Sequence, residues 1–419
     1  MSCEPLHEIK NISLYVMAVM GNPCQTKTIV IPTVITYTII FIVGIIGNIF
    51  TCLVIIRNKS MHTHINFYLL SLALSDLVVL IFGLPMELYA AVDFAYPYKF
   101  PEWICKIRAY LIEFTSYASI LVICSFTVER WLAICYPIRS QSSPKISRAY
   151  MTIIIMWIIS SIAAIPIGFI VKINRLPLPE WAIEQEWTHK VSDDLDTIKN
   201  TDFCAMDVEK PNLQSHIISF AFIAFFMIPA ILITLMYTHI ACRIVFTDSL
   251  LYGVENNKVR AKATNTVIKM LVSVVISFFL CWLPFHIQRL LSVFISYHDG
   301  DVSPAIETVF QLVFYISGCF YYSNSAINPI LYNVFSEKYR RAFCTTILGR
   351  KIAKRIRPQW YMAKSGALLC TPQASCRRSN VEYSINASRH TGTSTKLLRH
   401  PKESYNKSNS DFKTAAILI

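Results

Sequence analysis

Charge is scarce in this chain. Asp, Glu, Lys and Arg make up 16% of its 419 residues, where an ordinary soluble domain carries about 25%. Other features are missing outright. The 13 cysteines show no metal-ligand spacing, which excludes a structural zinc module. No nucleophile–base set stands out, which argues against an enzyme. No internal repeat is evident, which weighs against a transporter built from duplicated halves. Met1–Gln25 has no basic start followed by an apolar run, so membrane insertion is expected to depend on the first long apolar segment rather than on a cleaved leader.

What is present is apolar and unevenly spread: 54% of residues are hydrophobic and the mean hydropathy is +0.45. Seven runs stand out, at about Ile29–Ile56, Phe67–Val92, Trp103–Cys135, Ala149–Val171, Ser215–Val245, Val267–Tyr297 and Ile306–Phe335. Crossing about 30 Å of hydrocarbon takes about 20 apolar residues, and soluble core helices seldom run this long seven times over. The expected fold class is an all-α membrane protein: a seven-transmembrane helix bundle at 29–335 behind an N-terminal tail at 1–28. A short amphipathic cytoplasmic helix is expected at 336–347, where charged and aromatic residues alternate. A disordered, phosphorylatable tail rich in Ser, Thr, Asn, Lys and Arg is expected at 348–419. Its last residues, Ile417-Leu418-Ile419, could add to the sheet edge of a partner domain, although three apolar residues are a weak signal.

The net charge of +13 is distributed as an orientation signal, not as a nucleic-acid footprint. Basic residues follow runs 1, 3, 5 and 7, among them Arg57, Lys145, Lys258, Arg340 and the cluster Arg350, Lys351, Lys354, Arg355, Arg357. The loops after runs 2, 4 and 6 are acidic or mixed, with Glu102, Glu184, Asp193, Asp194 and Asp301. The positive-inside rule then places the N-terminus outside and the C-terminus in the cytoplasm of a multi-pass plasma-membrane protein. On that side Asn11-Ile12-Ser13 is a usable glycosylation acceptor, while the sequons at Asn58, Asn386 and Asn406 read as chance matches. Cys3, Cys24, Cys105 and Cys204 face the oxidising side. Cys344 follows the stretch Tyr339–Phe343 and suits palmitoylation. The loop from about Lys172 to Asn212 is long enough to be functional or disordered.

Ionisable residues at mid-membrane are costly, by roughly 2.5–3.5 kcal/mol or more, and default to functional hypotheses. Asp76 sits in the middle of run 2 and Glu129-Arg130-Trp131 closes run 3. Trp282-Leu283-Pro284 lies in run 6, where the proline removes a backbone hydrogen bond and should kink the helix. Asn328-Pro329-Ile330-Leu331-Tyr332 closes run 7. Two more carboxylates lie in the outer halves of runs 2 and 3. Glu87 is eleven residues beyond Asp76, roughly 16 Å outward and about 20° round the helix. Glu113 is eight residues beyond Cys105, roughly 12 Å below the outer end of its helix. Neither has an obvious local cation, although Arg289, two turns outward of Trp282, could pair with one of them, as could Lys106.

With Asn48, Ser71–Asp76, Trp157, Pro229 and Tyr237, these motifs form an ordered set, one in each run. It resembles the rhodopsin-like G-protein-coupled receptors from about Thr28 to Cys344. The resemblance implies a sodium ion, and no other cofactor or metal, at Asp76 with Ser119, Asn324 and Asn328. It implies a switch made of Glu129, Arg130, Trp282, Pro284, Tyr237 and Tyr332. Arg130 and the loop residue Ile138 would contact the G protein, and a disulfide would join Cys105 to Cys204. Arg130 has Glu129 as its nearest partner in sequence. The position of a second acidic partner found in some relatives holds Thr264, so the resting lock would be weaker. Receptor kinases and arrestin would engage the tail.

Amine receptors carry Asp where this chain has Ile112, which weakens an aminergic reading. Ser71–Tyr89 and Cys281–Arg289 resemble neuromedin U receptors and their invertebrate pyrokinin and capa relatives. That resemblance implies a neuropeptide with an Arg-containing amidated C-terminus, signalling through a q-class G protein and calcium release. Glu87 and Glu113 would clasp its arginine, near Phe285, His286, Arg289 and Phe314. A ghrelin-like or other peptide receptor, and a transporter, are the readings set against it.

Overall fold

The computed structural model describes residues 27–92, 96–136, 145–178, 196–250, 279–295, 304–335 and 337–356, with a few isolated positions besides. Helix α1 is Lys27–Arg57, and α2 is His64–Phe82 continued after Gly83 by Leu84–Val92. Helix α3 is Glu102–Cys135, and α4 is Lys145–Ile170. Two short strands follow, β1 at Val171–Asn174 and β2 at Phe203–Met206, then α5 at Pro211–Leu250. Helix α6 is described over Phe279–Ile295, α7 is Pro304–Phe335 and α8 is Glu337–Ile356.

Length and apolarity explain the helices, because only a helix satisfies all backbone hydrogen bonds within one segment in hydrocarbon. Helices α1 to α5 are each long and apolar enough to cross a membrane. Their outward faces confirm the solvent they are made for. On α1, Ile31, Ile35, Ile39, Ile42 and Ile46 recur at helical spacing and are all about half exposed. An apolar stripe of that size on a water-soluble protein would invite association. Helix α3 is the central strut, packing on α2, α4 and α5, while α1 packs on α2 and α7.

Small residues set the closest approaches, as in other membrane bundles. A Cβ on Gly318 of α7 would collide with the Tyr37 hydroxyl of α1. One on Gly83, at the break in α2, would stand 3.0 Å from the Tyr322 hydroxyl and 2.6 Å from the Val79 carbonyl. Helix α5 contains one wide turn, Ile223–Met227, where the Ile228 N–H bonds five residues back to the Ile223 carbonyl.

Two details depart from the sequence reading. Part of the long loop is ordered: β1 and β2 pair antiparallel, Val171 opposite Met206 and Asn174 opposite Phe203. Four-residue strands of mixed polarity leave too little periodicity to read. Helix α8 extends past 347 to Ile356, with Gly349 at φ +77° interrupting it. Its first turns are anchored on the bundle: the Tyr339 hydroxyl hydrogen-bonds Thr51 at 2.8 Å, and the Asn58 amide donates to Thr346 at 2.7 Å. A compact unit of the chain ends at Arg350, and a second begins at Lys351.

Candidate functional site

At the hairpin end, Cys105 and Cys204 form the expected disulfide, Cα atoms 5.9 Å apart. It ties β2 to the start of α3. Lys172 binds Asp207 at 2.8 Å and Lys210 binds it at 3.2 Å, which clamps the segment after β2 to β1. The Lys172 ammonium holds the Asp207 carboxyl below the usual carboxylate range, and Asp207 in turn raises Lys172.

Both outer glutamates have cationic partners, one of them the Arg289 that the sequence offered and the other not anticipated. Arg289 of α6 pairs with Glu113 of α3, and both side chains are largely buried. Arg108 of α3 pairs with Glu87 of α2 at 2.5 Å. The sequence reading missed Arg108 and considered Lys106, which instead bonds Glu102 one turn away at 2.6 Å. Helical geometry could have separated the two, since residues four apart share a face.

Below the ion pairs lies an aromatic floor. Phe285 stacks on Tyr321 with centroids 4.7 Å apart, and the Arg289 guanidinium lies over Phe285. Tyr321 shares a 2.6 Å hydrogen bond with Ser116, and Tyr117 stacks on Phe225 of α5. His286 is buried against Phe226 and the stacked Trp282 ring, so it belongs to the floor rather than to an open wall. Neither Trp282 Nε1 nor His286 Nε2 has a hydrogen-bond partner among the described residues. Phe314 stands two turns from Tyr321 toward the hairpin end and is half exposed. Pro284 is inside the described part of α6, and residues 251–272 fall outside it.

At mid-depth Asp76 is buried and accepts a 3.0 Å hydrogen bond from the Asn328 amide. Ser119, Asn324 and Ser325 are buried as well, and the Asn48 amide donates to the Ser325 carbonyl at 2.8 Å. Among the described residues no cationic side chain pairs with Asp76.

The α8 end holds the second departure from expectation. Glu129 does not serve Arg130; it takes two hydrogen bonds from Arg148 of α4, at 2.9 and 2.7 Å. Residues i and i+1 of a helix point about 100° apart, so sequence adjacency was a poor guide. Arg130 lies over the Phe126 ring, 5.2 Å from its centroid, and no carboxylate pairs with it among the described residues. The Tyr237 hydroxyl hydrogen-bonds Thr127 at 3.2 Å. Tyr332 is buried against Tyr339. The Trp131 indole donates to His239 of α5 at 3.0 Å, an interhelical bond the sequence did not suggest. Ile138, Asn11, Cys3, Cys24 and Thr264 lie outside the described residues.

Comparison with known proteins agrees with this arrangement. A family model described as the seven-transmembrane receptor (rhodopsin family) matches residues 47–332. The chain is 55% identical to the neuromedin U receptor homolog nmur-2 of Caenorhabditis elegans, over 84% of this chain and 88% of that protein. It is 32% identical to the pyrokinin-1 receptor of Drosophila melanogaster, over 80% of this chain and 84% of that one. It is also 32% identical to human neuromedin-U receptor 2, over 82% and 78% of the two chains. Seven apolar segments, the polar set within them and the family match together establish that this chain belongs to the rhodopsin family of seven-transmembrane receptors, and not to an enzyme family.

Proposed function

We propose that this receptor recognises an amidated neuropeptide whose C-terminal region carries an arginine, and that it activates a q-class heterotrimeric G protein with calcium release. The observation that carries the reading is the pair of glutamates, Glu87 and Glu113, above an aromatic floor that contains Trp282. Carboxylates can bind a guanidinium bidentately, and the relatives named for neuromedin U and pyrokinin support a peptide of that kind. The N-terminus and hairpin face the outside of the plasma membrane. The α8 end faces the cytoplasm, where Arg130, Tyr237, Tyr332 and Ile138 meet the G protein. Receptor kinases and arrestin act on the C-terminal tail, and Cys344 carries a palmitoyl anchor.

Sodium belongs to the same reading. An enclosed carboxylate at Asp76 with no cationic partner among the described residues, bonded by the Asn328 amide and in the same bundle as the buried side chains of Ser119 and Asn324, fits a small monovalent cation. The ion would supply the counter-charge that the Asp76 carboxylate lacks.

The test is calcium release in cells expressing the receptor, challenged with amidated peptides ending in Arg-Leu or Arg-Asn. Glu87→Gln and Glu113→Gln should weaken an active peptide far more than its counterpart with the arginine replaced. Equal losses for both peptides would sink the clasp.

A further inference from the structure

The two ion pairs of the hairpin-end vestibule are not equivalent. Glu113 is 13% exposed and takes the Arg289 guanidinium through one nitrogen on one oxygen, Nη1 to Oε1. Glu87 is 38% exposed, and Arg108 holds it in the same one-to-one fashion, Nη2 to Oε1, so the difference lies in exposure. Arg108 is also the less committed cation. Its Nε is buried without a hydrogen-bond partner among the described residues, whereas Arg289 lies over the Phe285 ring as well.

Two glutamates and two arginines sum to zero charge. An incoming guanidinium therefore meets no uncompensated carboxylate in these two pairs, and an ion pair with either requires a receptor arginine to give up its glutamate. Exchange costs least where the released arginine can reach water, because a buried charge left alone is expensive. Arg108 is 21% exposed and Arg289 is 10% exposed. At either glutamate the incoming group would replace a single hydrogen bond with a bidentate pair, so access to water decides between them.

We infer that Arg108 is a specificity-determining residue, occupying the ligand's cation site on Glu87 in the empty receptor and leaving it when a peptide guanidinium arrives. This rests on the reading of an arginine-bearing peptide given above. Arg108 acts as a built-in competitor, so a peptide that offers a neutral group at that position cannot displace it.

The experiment measures displacement of a fluorescent tracer from full-length receptor in membranes. The competitors are a synthetic peptide amide ending in Arg-Asn and the same peptide with citrulline for arginine. Arg108→Met should bind the arginine peptide about fivefold tighter than wild type and leave the citrulline peptide unchanged. Arg108→Lys, which keeps a cation on Glu87, should stay near wild type. If Arg108→Met weakens the arginine peptide, or moves both peptides alike, the inference is overturned while the clasp survives. If wild type does not distinguish the two peptides, the clasp and the inference fall together. Should Arg108→Met not reach the cell surface, Arg108→Gln carries the same expectation.

Discussion

Replacing Glu113 by Gln should destabilise the receptor more than the loss of any single hydrogen bond. Glu113 and Arg289 are 13% and 10% exposed, so removing one leaves the other's charge with little access to water. Breaking a buried pair from one side costs about 3–5 kcal/mol, and the residual exposure favours the lower end. An interhelical hydrogen bond in a membrane bundle averages about 0.6 kcal/mol. Ser116→Ala, which removes the bond to Tyr321 one turn deeper, is thus an internal scale, expected to show about one fifth of the effect. The double variant Glu113→Gln/Arg289→Gln has no stranded charge and should recover most of the loss. The assay is thermal inactivation of purified receptor in detergent with a thiol-reactive dye, since buried Cys135 and Cys281 become accessible on unfolding. If the double variant is as unstable as the sum of the two singles, the charges do not compensate each other and the reasoning fails.

Three further outcomes are expected. Gly318→Ala should lower thermal stability by forcing α7 from α1, and Tyr37→Phe in the same chain should restore part of it by removing the obstructing hydroxyl; no rescue would locate the strain elsewhere. Arg148→Gln should free Glu129 to turn toward Arg130 and so reduce ligand-independent inositol phosphate accumulation, and an increase would contradict this. In the hairpin, the depressed Asp207 contributes stability that is full above about pH 4 and is lost as pH falls through its lowered value. The raised Lys172 contributes stability that is full below about pH 10.4 and is lost as pH rises through its elevated value. Amide protection factors in β1 and β2, corrected for the intrinsic exchange rate, should therefore be flat between those limits, with an acid limb that disappears in Asp207→Asn; a persisting limb would assign it to another group.

The bundle was legible because a bilayer imposes a length, and runs such as Ile29–Ile56 and Trp103–Cys135 lie within a few residues of the observed helices. The polar residues inside those runs were legible for the same reason: hydrocarbon makes Asp76 or Glu113 too costly to be incidental. Their partners were harder to see. Arg289 could be anticipated because it lies two turns above Trp282 on nearly the same face. The bonds from Arg108 to Glu87 and from Arg148 to Glu129 join different helices, and no rule of spacing along one chain reports which residues two helices bring together. The wide turn in α5 was hidden too, because Ile, Ala, Phe and Met suit an ordinary helical turn as well as a wide one.

That wide turn affects how α5 can be compared with its counterparts in other receptors. One residue of helix is about 100° of rotation, so the extra residue at Ile223–Met227 puts the two halves of α5 out of phase by that angle. Within the turn Phe225 stacks on Tyr117 of α3 and Phe226 packs on His286 of α6. A tally of inward-facing positions carried by periodicity from Tyr237 toward Pro211 would name the wrong side chains above the turn. Any transfer of ligand contacts onto α5 has to restart its count on the hairpin side of Ile223.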